Sequence, residues 1–129
     1  MASDAKLWKV FSLYIRLRDS NEEGYGKCIT CRKIIHYTQG DAGHGIGRQH
    51  KSVKFHPRNN HLQCRRCNFY GAGEQAAYKE AVEKIYGEGT WDELTLASRQ
   101  TCKRGQVEID VMTDYYKKEV ARLKKERGL

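Results

Sequence analysis

Two kinds of side chain in this sequence can do chemistry, and they are interleaved. Cys28-Ile29-Thr30-Cys31 and Cys64-Arg65-Arg66-Cys67 are two Cys-x-x-Cys pairs with 32 residues between them. A two-residue spacer lets a tight turn aim both sulfurs at one ion, and structural zinc takes four thiolates at about 2.3 Å. Two pairs complete that shell and leave no open position, so the zinc would brace the chain and do no chemistry itself. Two independent redox pairs would need a strand-to-helix setting of thioredoxin type, which neither has, and disulfides would need an oxidising compartment. Cys102 lies in a polar stretch and reads as a free thiol. The interval between the pairs holds the second kind of residue. It contains Asp41-Ala42-Gly43-His44 and Asn59-Asn60-His61-Leu62-Gln63, and Asn68 directly follows Cys67. Phosphodiester hydrolysis needs a base to deprotonate water and a hard divalent cation to polarise the phosphate. Histidine titrates near neutrality and suits the first task. Asp and Asn oxygens suit magnesium or manganese.

Charge singles out the same interval. The net charge is +8, and between Lys27 and Asn68 nine Lys or Arg stand against one acid, Asp41, while both flanks are neutral. Clustered cations are the main source of non-specific nucleic-acid affinity. A basic surface kept only for solubility would not explain the neutral flanks. Arg48, Lys51, Lys54, Arg58, Arg65 and Arg66 are therefore expected to face a phosphate backbone. No element reads as a recognition helix, so shape and charge would govern binding to DNA more than base sequence.

The elements that must position these residues follow from periodicity. Leu7, Phe11, Tyr14, Ile15 and Arg18 fall on one stripe and predict a helix from about Asp4 to Asp19, with Ser3 or Asp4 as N-cap. Lys27 to Tyr37 reads as a knuckle followed by a strand, Lys33 to Tyr37. A second strand is expected over Ala42 to Ile46, then a basic loop without periodicity from Gly47 to Asn60. The second half is helical: Glu74 to Tyr86, a short helix opened by a capping box at Thr90 to Glu93, and a last helix from about Ile109 to Lys125. Tyr116, Val120 and Leu123 on that last helix could cover the core or form a homodimer contact.

Length and composition bound the class. The chain of 129 residues fits a single domain, here divided as an N-terminal helix (1–26), a knuckle-bearing core (27–72) and a helical part (73–129). Its apolar runs are far shorter than the roughly 20 residues that span a bilayer, and its N-terminus lacks the apolar core of a signal peptide. The expectation is a soluble intracellular protein of α+β class.

The order of motif residues resembles that of the His-Asn-His nucleases. Their ββα-metal fold sets a base histidine on a strand and a metal ligand on the following helix, and zinc pairs brace both ends in many members. Phage resolvases of the endonuclease VII type look similar at the final position, with an acidic residue and a post-cysteine Asn holding magnesium. A closer resemblance covers nearly the whole chain. Leu7-Trp8-Lys9-Val10-Phe11-Ser12, Tyr14-Ile15-Arg16-Leu17-Arg18-Asp19, Asp41-Ala42-Gly43-His44 and Asn59-x-His61-x-Gln63-Cys64-x-x-Cys67-Asn68 look like the bacteriophage NinG/Rap recombination protein family. Longer members carry a basic, cysteine-containing extension ahead of the first helix, and this sequence starts close to that helix.

The resemblance implies a zinc-braced, HNH-like nuclease core. It also implies a structure-specific endonuclease for branched recombination intermediates such as Holliday junctions and D-loops, in the cytoplasm of a bacterial host. Carried over residue by residue, His44 would be the general base and Asn59 would orient the histidine or its loop. Asp41 and Asn68 would be ligands of a catalytic magnesium or manganese, with His61 a further ligand or a phosphate contact. Asp41 lies three positions from His44, which on a flat strand puts the two on opposite faces unless a bulge at Gly43 intervenes. Other readings stay open. Asn59 and Asn60 after Pro57 also have the composition of a turn, Asn68 that of a helix N-cap, and His36, His50 and His56 that of solvated residues. A zinc-stabilised nucleic-acid-binding module without catalysis, or a nicking enzyme without branch preference, would carry the same knuckle.

Overall fold

A computed structural model describes residues 1–70 and 74–129 of the chain. The boundary expected at residues 72–73 lies outside the described residues. The class is mixed α+β, with two small antiparallel ribbons and a mainly helical second half.

Helix α1, Asp4–Arg18, starts where Ser3 turns extended and accepts a hydrogen bond from the Lys6 N–H. Asp4 in its first turn and Arg16 and Arg18 in its last complement the helix dipole. Its buried face, Leu7, Phe11, Ile15 and Leu17, packs on the last helix, α5, Gln106–Arg127. The two run parallel: the Ala2 N–H donates to Asp110 near the start of both, and Arg127 donates to the Leu17 carbonyl near the end of both. Tyr116, Val120 and Leu123 of α5 cover this core, and Tyr115 stays exposed. Phe11 sits edge-on to Tyr116 with ring centroids 4.8 Å apart. Truncating such a buried aromatic costs about 3–5 kcal/mol.

Strands β1, Tyr25–Lys27, and β2, Ile34–His36, form the first ribbon, with Gly26 opposite Ile35. Strands β3, Gly40–His44, and β4, Asn60–Cys64, form the second, in an unbroken register from Gly40 opposite Cys64 to His44 opposite Asn60. Strand β3 begins and ends two residues earlier than periodicity suggested. The long β3–β4 connection is not a featureless loop: it holds a one-turn helix, α2, Lys51–Lys54, and a 3-10 turn at Pro57–Asn59. Val53 and Phe55 anchor it by burial.

The second ribbon lies between two cores. One joins α1, α5, Ala42 and Phe55. The other joins Ile29, Ile46 and Val53 to helices α3, Gln75–Tyr86, and α4, Thr90–Ser98, through Tyr78, Val82, Trp91 and Leu94. After β4 the chain makes a five-residue π-type turn, Arg66–Tyr70, and α3 begins at Gln75. The capping box read at Thr90 does not form. The Thr90 hydroxyl donates to the Gly87 carbonyl and its N–H to Glu83, while Gly89, with φ +94, holds the N-cap. Among the described residues, no helix is long and apolar enough to cross a membrane.

Candidate metal centre and adjoining cleft

The first ribbon exists to present two cysteines. Its connection closes on hydrogen bonds from the Cys28 N–H to the Lys33 carbonyl and from the Arg32 N–H to the Cys28 carbonyl, with Arg32 in the left-handed region (φ 69). The Ile29 N–H donates to the Leu62 carbonyl at 2.9 Å and ties this knuckle to β4, which itself ends on Cys64. Cys67 follows within the π-type turn. The four sulfurs of Cys28, Cys31, Cys64 and Cys67 lie within 4.8 Å of one another, with Cys31 and Cys64 Sγ 3.8 Å apart. A tetrahedron of sulfurs about 2.3 Å from a zinc ion has edges of about 3.8 Å. Burial and the neighbouring sulfurs push the Cys67 thiol up to about 12. Four thiolates in one cluster need a cation to neutralise them, and a divalent metal supplies that charge. The donor set is closed and soft, as structural zinc requires.

Beside this centre a cleft of about 540 Å³ opens along β3, with Asp41, His44 and Asn68 on its walls together with Trp8, Ser12 and Arg48. His44 is held from two sides. Its ring stacks on Trp8 of α1, centroids 4.8 Å apart and planes 17° from parallel. Its Nε2 lies 3.1 Å from the Lys54 carbonyl oxygen. A carbonyl only accepts, so Nε2 carries the proton and Nδ1 is left as the acceptor of the ring. Burial pushes His44 down to about 4, and the Arg48 and Lys54 charges act in the same direction against the Lys54 carbonyl. The imidazole is therefore neutral at pH 7 and able to take a proton. The flanking positions are tight: a Cβ at Gly43 would force the Gln63 carboxamide to move, and one at Gly45 would come within 2.9 Å of the Trp91 ring and 3.0 Å of Tyr78.

Asp41 and Asn68 meet across the cleft wall. Asn68 Nδ2 donates to Asp41 Oδ2 at 3.0 Å, and Arg65 Nε lies 3.8 Å from Asp41 Oδ1. Asn68 is therefore not a helix N-cap; it sits inside the turn with its side chain on Asp41. No bulge at Gly43 brings Asp41 to the side of His44, because the ladder is regular through Gly43 opposite His61. Strand β3 belongs to a two-stranded ribbon, which twists strongly, and the cleft takes side chains from both of its faces.

The three polar residues before Leu62 part company. Asn59 is fully buried and clamps the connection: its Nδ2 donates to the Ile46 and Val53 carbonyls, and its Oδ1 accepts from the Ile46 N–H at 2.8 Å. It orients the loop and makes no hydrogen bond to His44. Asn60 is the residue coupled to His44, since its Nδ2 donates to the same Lys54 carbonyl at 3.0 Å and to the His56 carbonyl at 2.8 Å. His61 corrects an expectation. It is buried with Nδ1 3.0 Å from the Tyr78 hydroxyl and Nε2 2.6 Å from the Tyr86 hydroxyl, so both ring nitrogens are engaged away from the pair Asp41 and Asn68. His36 and His56 are not idle either; the side chain of each accepts from the N–H two residues on and starts a short turn.

The cations divide. Arg48 lines the cleft, and Arg65 and Arg66 border the groove beside the cysteines. Lys51 is exposed on α2. Lys54 is drawn to Asp4 and over the Phe55 ring. Arg58 covers the ring of Tyr86 at 5.0 Å, on the His61 side of β4. Sequence reasoning missed Asn60 and the Trp8 stack. Recognising β4 as a strand would have exposed the first, because it places Asn60 opposite His44.

The model of the family described as Bacteriophage Lambda NinG protein matches residues 3–126 of the chain. No curated protein and no solved structure matches it.

Proposed function

The chain belongs to the NinG family of phage recombination-associated proteins, and on that premise we propose that it is a divalent-metal-dependent endonuclease for branched DNA. In this reading β3, β4 and the turn Arg66–Tyr70 stand for the two strands and the helix of the His-Asn-His motif, and the cysteine-bound zinc clamps its ends. The observation that carries it is the convergence of Asp41, Asn68 and His44 on one cleft. His44 Nδ1 takes a proton from the attacking water. The oxygen of that water bonds to phosphorus, the bond to the leaving oxygen breaks, and the leaving oxygen picks up a proton from solvent. Lys54 and Asn60 hold the imidazole in the tautomer this needs. Asp41 and Asn68 offer the oxygens that would hold magnesium or manganese, which stabilises charge building on the phosphate. Asn68 would hold such an ion through its carboxamide oxygen, since its nitrogen is a donor and no ligand. Arg48 lies where it can meet a phosphate entering the cleft.

The test is incubation of the zinc-loaded protein with labelled four-way junction, D-loop and linear duplex, with and without magnesium. Magnesium-dependent nicking of the first two above the third is expected, and His44→Ala should abolish it while zinc content and DNA affinity persist. Equal cutting of all three removes branch preference. No cutting by folded, zinc-loaded protein leaves a binding module.

A further inference from the structure

The turn that carries Asn68 also carries Phe69 and Tyr70, and these two aromatic side chains are 78% and 83% exposed. Their rings meet edge to face with centroids 5.2 Å apart, so neither turns inward to a core. The turn beneath them is anchored: Cys67 belongs to the metal centre and Asn68 bonds Asp41. Phe69 lines the cleft that holds His44, and Tyr70 lines the groove of Cys64, Arg65 and Arg66. The pair therefore forms a ridge between the cleft and a basic groove. Leaving two large rings in water gives up burial worth about 25 cal/mol per Å², and the cations on both sides, Arg48, Arg65 and Arg66, favour a polyanionic occupant over an apolar protein surface.

We propose that Phe69 and Tyr70 are a stacking ridge for unpaired nucleobases, which seats the single-stranded part of a branch beside the cleft and gives the protein its preference for branched over linear DNA. This rests on the nuclease reading for its substrate but not on cutting. Every base offers a π face, so stacking on aromatic side chains is strong and indifferent to sequence, while the bases inside a duplex are already stacked on both faces and offer it little. The cations track the phosphates and act on both forms alike.

Binding separates the two contributions. In a His44→Ala background, affinity is measured for a Y-fork with unpaired arms and for linear duplex, with 2-aminopurine at the fork reporting stacking by its quenching. Phe69→Ala with Tyr70→Ala should weaken fork binding about tenfold or more, abolish the quenching, and leave duplex binding, zinc content and melting unchanged. Phe69→Trp with Tyr70→Trp should restore fork binding. Equal loss on fork and duplex, or no loss on either, overturns the ridge while the nuclease reading stands. A wild-type protein that binds neither DNA overturns both. An alanine pair that binds both DNAs normally but elutes as a smaller species assigns the ridge to a second copy of the chain and overturns stacking.

Discussion

His44 and Asn60 share one acceptor: the Lys54 carbonyl oxygen lies 3.1 Å from His44 Nε2 and 3.0 Å from Asn60 Nδ2. The carbonyl fixes the ring's tautomer, and Asn60 fixes the carbonyl by bridging it to His56. Asn59, one residue earlier, bonds Ile46 and Val53 instead. The two asparagines should therefore fail differently. Asn60→Ala is expected to cost about 1–3 kcal/mol by removing two hydrogen bonds from a buried side chain and to slow nicking per folded molecule by about 10- to 100-fold, because a misplaced base is costly. Asn59→Ala should lower the melting temperature at least as much with a smaller loss per folded molecule. Single-turnover rates normalised to folded fraction distinguish them, and equal rates for the two variants would break the link through Lys54.

The pH profile follows from burial at His44. A general base works unprotonated, and His44 is held at about 4, so its contribution persists above that value and disappears as pH falls through it. Nicking measured under single-turnover conditions should stay level from about pH 7 down to about pH 5, where a histidine of ordinary pKa near 6.5 would already be mostly protonated. A midpoint near 6.5 would mean that the ring is solvated during reaction and not packed between Trp8 and Lys54.

What the sequence could say depended on whether the relevant force was local. Cys-x-x-Cys spacing encodes metal geometry within four residues, so the knuckle was legible, and the stripe from Leu7 to Ile15 with Ser3 ahead of it was enough for α1. Strand β1 has only Tyr25, Gly26 and Lys27, without alternation, and is held by pairing with β2. The Thr90 capping box lost to a tertiary bond from Glu83. Which of Asn59 and Asn60 serves His44 depends on where the Lys54 carbonyl lands, and His61 is turned by hydroxyls 17 and 25 residues away. None of these partners has a signature near its own position.

Metal removal should act on the whole cleft. The four-cysteine centre joins the first ribbon to the end of β4 and adjoins Asn68. Structural zinc binding is worth about 10–16 kcal/mol in small zinc-finger peptides, comparable to the entire stability of a small domain, about 5–15 kcal/mol. Chelation, or Cys64→Ser, is expected to abolish cooperative melting and near-ultraviolet circular dichroism, and elemental analysis should find one zinc per chain before chelation. A sharp melting transition retained without zinc would show that the two apolar cores hold the chain unaided.

Acid stability should report His61. Burial, aided by the Arg18 charge and opposed by Asp19, pushes it down to about 4 in the folded protein, against roughly 6.5 in the unfolded chain. As pH falls below about 6.5 the unfolded state takes up a proton that the folded state refuses until about 4. The stability this group contributes is thus complete above the higher value and decays toward the lower one. His44 shifts in the same direction, and acid release of zinc adds to both, so the comparison must be with a variant that keeps them. His61→Gln retains a side chain able to bond the tyrosine hydroxyls but has no proton to gain. Between pH 7 and pH 5 the wild type should lose roughly 2 kcal/mol more than this variant in urea unfolding. Parallel losses would mean that water reaches His61 between Tyr78 and Tyr86 and that the ring titrates as an ordinary histidine.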